Sequence, residues 1–506
     1  MTAKAITKST RRLLACKNTL IHSSRSQSVW TSDKTIKSPF KNVDIPNRTI
    51  PEQIWENLGR WPDKPALVCG VTNHSYTYHQ LYKYSRNFAT KLCNKLGIRD
   101  HDVVCVMMPN SPDYALAVLG ILQAGAEVTT VNPIYTAHEV QRQLLLSKPK
   151  IIISVPETIS ILKDALKLAK LDIPIIAVKT ANESRPQGTI SFEEFALDST
   201  VDHSVLNKVS SKSNDIAFLP YSSGTTGLPK GVELTNRNLV SNFMQLDNEE
   251  VKHHCDTTLL FTGSHKDVSR DHLAHLKVVT SGAAPLPLND VLRVIEKASP
   301  GMNFLQLYGL TETSPLVTAM VPGSENYSSS GFAVSNTELQ IVNSEQHSLG
   351  PNEVGELLIR GPQVMKGYRD NPESTKAAVT EDGWFKSGDL ARIDEDGAIT
   401  IVDRLKELIK VKGYQVPPAE LENVLKEHPS ILDAAVIGIS DAKQGEAPKA
   451  FIVVKEGHKL KPDDVMKFVE ERVAVYKRLK EVMFMDVIPK NPSGKILRRV
   501  LREQYS

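Results

Sequence analysis

Residues 103–131 read VVCVMMPNSPDYALAVLGILQAGAEVTTV, a long apolar stretch between two short ones. This pattern predicts a strand over Val103–Met108, a helix over Asp113–Ala126 and a strand over Glu127–Val131. The same alternation continues, with predicted elements at Ala137–Leu146 (helix), Lys150–Ser154 (strand), Glu157–Lys170 (helix) and Ile173–Val178 (strand). Short apolar strands joined by helices are typical of parallel βαβ units that are buried on both faces. The sequence therefore predicts an α/β fold.

Two later regions have different patterns. Residues 350–408 are rich in Gly and Asp and contain short alternating runs, such as Glu356–Arg360 and Ala398–Val402, which predict antiparallel strands. A compact α+β pattern then follows, with elements predicted at Pro417–Glu427 (helix), Ala434–Ile439 and Ala450–Lys455 (strands), Pro462–Arg478 (helix) and Glu481–Val487 (strand). We expect three parts: a leader over 1–40, a large α/β region over 41–404 and a small α+β region over 405–506.

The composition excludes several classes of protein. The 506 residues are 41% hydrophobic and 24% charged, which is typical of globular chains. The 61 basic and 58 acidic residues give a net charge of +3, too balanced for a dedicated nucleic-acid binder, so no nucleic-acid partner is expected. No apolar run reaches the ~18–20 residues that span a bilayer, so no transmembrane segment is expected. The five cysteines contain no C-x-x-C pair, which argues against a disulfide framework or a zinc ribbon.

The N-terminal segment differs in charge from the rest of the chain. Residues 1–32 carry six basic residues and no acidic one, and they are rich in Ser and Thr. This composition is typical of a mitochondrial transit peptide. The alternative is an ordinary disordered N-terminus on a cytoplasmic protein. The last residues are Glu503–Ser506, so no peroxisomal Ser-Lys-Leu signal is expected.

The strongest chemical signal is the segment 220–232, PYSSGTTGLPKGV, which follows the apolar run Ile216–Leu219. Its glycines allow a tight turn that brings backbone N–H groups together as an anion-binding nest. Hydroxyls add further donors and one lysine adds positive charge. We expect a phosphate cradle formed by Ser222, Ser223, Gly224, Thr225, Thr226, Gly227 and Lys230. It is not a Walker loop, because no Gly-Lys-Ser/Thr follows the glycines.

This segment closely resembles the phosphate loop of the adenylate-forming superfamily, which contains acyl-CoA synthetases, 4-coumarate–CoA ligases and firefly luciferases. Similar motifs follow in the family's order, at 281–285 (SGAAP), 306–312 (QLYGLTE), 383–389 (GWFKSGD), 403–410 (DRLKELIK) and 491–495 (NPSGK). The resemblance extends from about residue 45 to residue 503. It implies a large N-terminal AMP-binding domain of parallel βαβ sheets with a β-rich subdomain, and a small mobile α+β C-terminal domain. It also implies ATP, Mg²⁺ and coenzyme A, with a small-molecule carboxylic acid as substrate.

The resemblance places a nucleotide site in these motifs. Tyr308 offers an aromatic face on which a purine can stack. Thr311 can donate to a phosphate and Glu312 is the carboxylate expected to hold Mg²⁺, so both are expected to be catalytic. Asp389 and Arg404 are expected at the ribose, where an acidic residue can accept the hydroxyls. Further nucleotide contacts are implied for Gln306, Gly309, Lys410 and Gln415.

Other roles are implied for the C-terminal region and the acyl site. Lys495 is expected to be the catalytic cation that neutralises charge between the substrate carboxylate and the α-phosphate. For Lys495 to reach ATP that is bound to the large domain, the small domain must close over it. Lys406 lies at the predicted boundary between the domains, where the resemblance implies the hinge. Lys412 and Gly413 match coenzyme A positions, and Ala283 matches a substrate position. Histidines and one cysteine crowd into 253–275, but without a recognised metal-ligand spacing.

The chain departs from the family between Lys230 and Ser281, which are only 51 positions apart. Relatives have a longer interval, by at least one βαβ unit of ~30 residues, so we expect the large domain to be shortened near 256–270. Leu307 also stands where relatives commonly have Gly. We expect an ATP-dependent acyl-CoA ligase that activates a medium- or long-chain fatty acid through acyl-AMP. The alternatives are a catalytically impaired nucleotide- or partner-binding variant, and a 4-coumarate–CoA ligase-like or luciferase-like activity; the oligomeric state stays open.

Overall fold

The structure, a computed structural model, describes residues 29–505 except for 181–184, 199–200, 223–228, 249–275, 283–287, 299–300, 405–408, 417, 490–495 and 497. Its helices are, in chain order, α1 (Ile50–Trp55), α2 (Tyr78–Lys95), α3 (Pro112–Gln123), α4 (Ala137–Ser147), α5 (Ile159–Ala169), α6 (Phe192–Ala196), α7 (Asn236–Leu246), α8 (Leu288–Lys297), α9 (Pro372–Ala378), α10 (Pro418–Lys426), α11 (Pro462–Glu470) and α12 (Arg498–Tyr505). Short 3₁₀ turns occur at Leu58–Arg60, Pro156–Thr158, His203–Lys208, Thr311–Thr313 and Val475–Lys477. None of the described helices is long and apolar enough to cross a membrane.

The strands of the first half are β1 (Thr35–Lys37), β2 (Pro65–Val68), β3 (Ser75–Thr77), β4 (Val103–Met107), β5 (Glu127–Thr130), β6 (Ile151–Ser154), β7 (Ile175–Ala177), β8 (Ile190–Ser191), β9 (Ile216–Phe218), β10 (Tyr221–Ser222) and β11 (Lys230–Thr235). Those of the second half are β12 (Val278–Ser281), β13 (Asn303–Gly309), β14 (Leu316–Ala319), β15 (Phe332–Ala333), β16 (Glu338–Val342), β17 (Gly355–Arg360), β18 (Gly367–Tyr368), β19 (Phe385–Ile393), β20 (Ile399–Arg404), β21 (Ile409–Val411), β22 (Tyr414–Val416), β23 (Ile431–Asp441), β24 (Gly445–Val454) and β25 (Glu481–Phe484).

The N-terminal region is built on a sheet with the strand order β10-β11-β9-β5-β4-β6-β7-β8 and with β18 beside β11. The predicted parallel strands are confirmed, because Val104 of β4 pairs in parallel with Val128 of β5 and with Ile151 of β6. Helix α3 is buried along its apolar face, and a Cβ atom on Gly120 would lie 2.7 Å from the Phe88 ring of α2. The glycine therefore allows α2 and α3 to pack closely over the sheet.

Two further sheets follow in the chain. The predicted antiparallel strands are confirmed in the order β1-β16-β17-β19-β20, while β12-β13-β14-β15 form a separate sheet whose first two strands are parallel. Among the described strands, β12 lies at the edge of that sheet. One apolar core joins Val232 of β11 to Val317 of β14 and Leu339 of β16. This core fixes the strand that follows the phosphate loop against the strands that carry the later motifs.

The C-terminal unit is a sheet of order β22-β21-β24-β23, with β25 beside β24 and with α10 and α11 packed on it. The prediction of one helix over Pro462–Arg478 is wrong in its second half, because α11 ends at Glu470 and a 3₁₀ turn follows at Val475–Lys477. The β-branched Val473 and Val475 favour helix weakly, and the turn directs Lys477 into a buried position. The boundaries proposed for the three parts of the chain stay predictions.

Candidate active site

A β-hairpin brings the ends of the 220–232 segment together. Ser222, the last residue of β10, pairs with Lys230, the first residue of β11. The predicted phosphate ligands between them, Ser223, Gly224, Thr225, Thr226 and Gly227, lie outside the described residues. Ser222 Oγ is buried beside the Tyr368 hydroxyl, but it lacks the geometry of a hydrogen bond to that or any other described group. An unpaired buried hydroxyl costs about 1–3 kcal/mol, so this position suits a ligand that supplies the missing partner.

Tyr368 connects this hairpin to the predicted metal ligand. Because β18 pairs with β11, Tyr368 lies opposite Val232, two residues after Lys230. The Tyr368 hydroxyl donates to Oε1 of the buried Glu312 at 2.9 Å, and the Lys230 ammonium lies 5.0 Å from the centre of the Tyr368 ring. Within the described part of the chain, Oε2 of Glu312 accepts no hydrogen bond. Residues from the 220–232 and 306–312 motifs thus meet at Tyr368.

Burial changes the proton affinities in this cluster. It lowers the pKa of Lys230 below the ordinary value of 10.5, and the nearby Glu312 carboxylate opposes that shift. Burial raises the pKa of Tyr368 and the charge of Glu312 raises it further, so the phenol stays protonated and donates. A cation, a carboxylate and a neutral donor therefore lie side by side, which is a set of groups suited to a metal-bound polyphosphate.

The residues expected at the base and the ribose also lie together. The Tyr308 hydroxyl donates to Oδ2 of the buried Asp389 at 2.7 Å. Asp389 of β19 is the backbone partner of Arg404 of β20, so the third residue of this predicted set stands on the neighbouring strand. Tyr308 therefore orients the acidic side chain as well as offering an aromatic face.

Strand β13 aligns two more of the motifs. Gln306 pairs with Ser281 of β12, and its side-chain amide donates to the carbonyl of Tyr327. A Cβ atom on Gly309 would lie 1.9 Å from the carbonyl oxygen of Pro315, so glycine is required there. Thr311 and Glu312 follow directly in a 3₁₀ turn. This close approach positions that turn; the predicted substrate residue Ala283 lies outside the described residues.

The C-terminal unit carries another part of the predicted set on one hairpin. Lys410 of β21 pairs with Gln415 of β22, and the turn between them is formed by Lys412 and Gly413, with φ of 50° and 82°. The Lys410 N–H donates to Oε2 of Glu446 at 2.7 Å, which ties this hairpin to β24. The predicted hinge Lys406 and the predicted catalytic Lys495 lie outside the described residues.

Sequence reasoning missed Tyr368 and its neighbour Arg369. Arg369 bonds Glu127 of β5 at 2.5 Å and also bonds Glu233 of β11, so the chain that carries Tyr368 is held against both strands. The one local signal is the Gly-Tyr-Arg run shortly before Pro372. It is weak, because the hydrogen bond from Tyr368 to Glu312 joins residues 56 positions apart.

Known proteins match the chain over most of its length. A family model described as AMP-binding enzyme matches residues 54–269 and 257–369, and one described as AMP-binding enzyme C-terminal domain matches 420–495. The 4-coumarate–CoA ligase 1 of Arabidopsis thaliana is 35% identical over 94% of this chain and 96% of its own length. The 4-coumarate–CoA ligase 3 of Oryza sativa subsp. japonica is 36% identical over 93% of this chain and 95% of its own length. A double mutant of the o-succinylbenzoate CoA synthetase of Bacillus subtilis, 24% identical, shares the fold with a TM-score of 0.74 over 90% of this chain and 99% of that one.

These matches also bear on the shortened segment. The alignment with the Arabidopsis protein spans 543 positions. It includes 94% of the 506 residues of this chain, or about 476, so about 67 aligned positions have no counterpart here. The AMP-binding enzyme model matches in two pieces that meet at 257–269, within the interval from Lys230 to Ser281. The resemblance stated from the motifs is confirmed over both the large region and the C-terminal unit. The chain belongs to the AMP-binding enzyme family, the adenylate-forming acyl-CoA ligases.

Proposed function

We propose that this chain is an ATP-dependent ligase that joins coenzyme A to an arylpropenoic acid of the 4-coumarate type. The observation that carries this proposal is the 35% and 36% identity, over 94% and 93% of the chain, to proteins named 4-coumarate–CoA ligases. The medium- or long-chain fatty acid expected from the N-terminal leader has no such support from these relatives. An aryl acid is therefore the better substrate proposal.

The reaction has two balanced half-reactions. In the first, a carboxylate oxygen of the acid attacks the α-phosphorus of ATP, the bond to the β-phosphate breaks and pyrophosphate leaves. In the second, the coenzyme A sulfur attacks the acyl carbon, AMP leaves and the thiol proton passes to solvent. Lys230 supplies positive charge beside the phosphate loop, and Ser222 supplies an unpaired hydroxyl. Asp389, oriented by Tyr308, is placed to accept hydroxyls of the ribose.

Glu312 is the residue that would hold Mg²⁺ in this function. Its carboxylate is buried, Tyr368 donates to Oε1, and Oε2 accepts no hydrogen bond from a described group. Mg²⁺ usually takes one or two protein carboxylates and completes its shell with water and phosphate oxygens, so this donor set fits. The ion, when bound, would neutralise phosphate charge. Tyr368 contributes by keeping the other carboxylate oxygen engaged.

Acid-dependent exchange of pyrophosphate into ATP tests the proposal. The purified chain is assayed with 4-coumarate, cinnamate, octanoate and palmitate, and we expect the highest exchange with 4-coumarate. Lys230→Met should lower exchange about 10²–10³-fold, the usual cost of losing one group that stabilises transition-state charge. Lys150→Met is the control, because that exposed lysine pairs with Asp102 on the surface. Highest exchange with a fatty acid would contradict the aryl substrate.

A catalytically impaired nucleotide-binding protein is the second candidate. The observation that favours it is that about 67 positions of the alignment with the Arabidopsis ligase have no counterpart in this chain. In the interval from Lys230 to Ser281, Phe243 and Leu246 of α7 are 40% and 43% exposed, so apolar surface faces solvent there. Calorimetric ATP binding without exchange for any acid would favour this candidate. Insertion of the family's segment between Leu260 and Phe261 should then restore exchange and raise the melting temperature.

We further propose a mitochondrial location. The support is the acid-free basic composition of residues 1–32. Fusion of these residues to a soluble reporter should direct the reporter into mitochondria. A fusion in which the six basic residues are replaced by glutamine is the matched control and should stay in the cytosol. A cytosolic location of the unmodified fusion would contradict the proposal.

A further inference from the structure

Lys477 is a buried cation at the contact between the C-terminal unit and the N-terminal region. Its Nζ lies 2.7 Å from Oε1 of Glu139 and 2.9 Å from Oε1 of Glu420. The side chains of Lys477, Glu139 and Glu420 are only 5%, 6% and 5% exposed. Glu139 belongs to α4, beside the parallel sheet, whereas Glu420 and Lys477 belong to the C-terminal unit. A lysine is rarely buried unless it is paired, and here its two partners come from different units.

Aromatic rings and one hydrogen bond complete this contact. The Lys477 ammonium lies 4.6 Å from the ring centre of Tyr135, which precedes α4, and 5.6 Å from that of Tyr476. The Thr136 hydroxyl donates to the carbonyl of Arg472 at 2.8 Å. Tyr476 in turn stacks on Tyr414 with ring centres 4.1 Å apart. The pair Tyr476–Lys477 therefore joins the β21–β22 hairpin, which carries Lys410, Lys412 and Gly413, to the start of α4.

Around this cluster the contact between the two units is thin. Among the described elements, no helix or strand of the N-terminal region runs closely alongside one of the C-terminal unit. A groove of about 190 Å³ separates α4 from α10, with both units contributing to its lining. Arg142 and Glu427, which face each other across it at 3.8 Å, are 29% and 53% exposed. Such an exposed pair contributes about 0–1 kcal/mol, so the buried cluster is the stronger of these two ion-pair contacts between the units.

We propose that Lys477 is a positioning residue, which holds the C-terminal unit and its β21–β22 hairpin in one orientation by sharing its ammonium between Glu139 and Glu420. Burial by itself opposes the charge on Lys477, but Glu420, Tyr135 and Glu139 together outweigh burial and keep its pKa above the ordinary value. When the units separate, the ammonium and Glu139 regain water, and hydration offsets much of the lost Coulomb attraction. The cluster is therefore a reversible latch between units that are each held together by their own cores.

Glu139→Gln is the sharpest variant for testing the latch. The other oxygen of Glu139, Oε2, caps α4 by accepting from the Thr136 N–H at 2.9 Å. Glutamine keeps such a cap, as Gln80 shows by accepting from the Thr77 N–H at 2.9 Å at the start of α2. The substitution thus removes the charge that faces Lys477 and preserves the helix. Its matched control is Glu52→Gln, the same change in the capping box of α1.

Lys477→Met is the second variant, and it removes the shared cation itself. Lys480→Met is its matched control, because Lys480 pairs with Asp441 at 2.8 Å inside the C-terminal unit. The control changes the net charge equally but leaves the contact between the units intact. If Lys477→Met fails to fold by circular dichroism, Glu139→Gln alone decides, because its substitution lies on a capped helix of the N-terminal region.

X-ray scattering measures the orientation without any need for ligase activity. A compact chain of 506 residues has a radius of gyration of about 23 Å, and we expect an increase of about 1–2 Å in Glu139→Gln and Lys477→Met but not in their controls. An unchanged radius in both variants would overturn the proposal. Because this readout is independent of catalysis, its failure and the failure of the proposed function are distinguishable.

The ratio of the rates of the two half-reactions is the second readout, and it rests on the proposed function. Pyrophosphate exchange reports the first half-reaction, and thioester formation from synthetic acyl-AMP reports the second. If the latch holds one working orientation, Glu139→Gln should change the ratio of the two rates at least tenfold, whereas a merely structural role would lower both rates equally. Equal losses in both rates, with an unchanged radius of gyration, would show that Lys477 supports only stability.

Discussion

Arg369 and Lys477 are two cations in the described chain that are each shared between two carboxylates, and they differ in what surrounds them. Arg369 contacts Glu127 of β5 and Glu233 of β11, both within the N-terminal region. Lys477 contacts one glutamate from the N-terminal region and one from the C-terminal unit. The pattern of charges is the same at both places, but the units that it joins are not.

The backbone explains why the two clusters have different consequences. Around Arg369, strands β5 and β11 are both hydrogen-bonded to β9, which lies between them in one sheet, and the Arg369 N–H donates to the carbonyl of Gly231 at 2.8 Å. These strands cannot separate without unfolding. Around Lys477 no such ladder joins the described parts of the two units, so they can separate while each stays folded. The same charge pattern therefore stabilises a sheet around Arg369, whereas around Lys477 it holds the orientation of one unit relative to the other.

The side chains suit these two settings. The guanidinium of Arg369 offers Nη2 to Glu127 and Nε to Glu233, which is a rigid fork with fixed directions. The ammonium of Lys477 is a compact and strongly hydrated charge without a fixed direction. A fork favours one permanent geometry, whereas a point charge is released more easily into water. This difference predicts distinct responses to substitution.

The largest effect is expected for Arg369→Met. The substitution leaves the buried Glu127 close to the partly buried Glu233 without a cation, and breaking a buried pair in this way costs about 3–5 kcal/mol. Urea unfolding at neutral pH should show this loss in the free energy of unfolding. Arg48→Met is the control, because Arg48 and Glu56 form an exposed pair, worth about 0–1 kcal/mol. A loss below 1 kcal/mol for Arg369→Met would remove the basis of the comparison.

An intermediate effect is expected for Lys477→Met. Its cost should lie between the ~1 kcal/mol of an exposed pair and the ~3–5 kcal/mol of a buried one, because separation of the units lets Glu139 and Glu420 regain water. Scanning calorimetry should resolve an earlier transition of the C-terminal unit, with the main transition of the N-terminal region unchanged. A single transition, with a loss of stability as large as that of Arg369→Met, would mean that the two clusters contribute to stability in the same way.

A smaller effect is expected for Glu127→Gln. Burial raises the pKa of Glu127 above its ordinary value of 4.5, although Arg369 opposes this shift, so the charged carboxylate is costly at this position. Glutamine keeps an acceptor for Arg369 and removes that cost. The expected loss is about 1–2 kcal/mol, comparable to one weakened hydrogen bond to a charged group. Urea unfolding measures this loss. A loss equal to that of Arg369→Met would contradict the conclusion that the charge on Glu127 is costly at this position.

The smallest effect is expected from alkaline pH. The folded-state pKa of Lys477 lies above 10.5, so its contribution is fully present below 10.5 and is lost only as the pH rises through the folded-state value. The radius of gyration should therefore stay constant from pH 7 to about pH 10. Lys230, whose pKa burial lowers, should lose its charge earlier. As the pH rises, calorimetric ATP affinity should therefore fall before the radius of gyration increases. An increase in the radius at a lower pH than the fall in ATP affinity would contradict the roles assigned to Lys230 and Lys477.

Local sequence patterns were sufficient to predict the parallel sheet and the order of the motifs. The predicted strand Val103–Met108 differs by one residue from β4, because an apolar run between turn residues is itself the signal. The predicted helix over Pro462–Arg478 was wrong beyond Glu470. There the position of Lys477 depends on two glutamates elsewhere in the chain, which no local window contains.

The sequence by itself determined the α/β class, the family and the residue types at the nucleotide site, because each of these lies in a contiguous motif or a short periodic run. Only the tertiary structure decided that Tyr368 engages Glu312, 56 positions away, and that Lys477 engages Glu139, 338 positions away. Such pairs form only after strands and helices from distant segments have packed. Their side chains are common charged and aromatic residues, and their roles follow from the burial and from the partners that packing supplies.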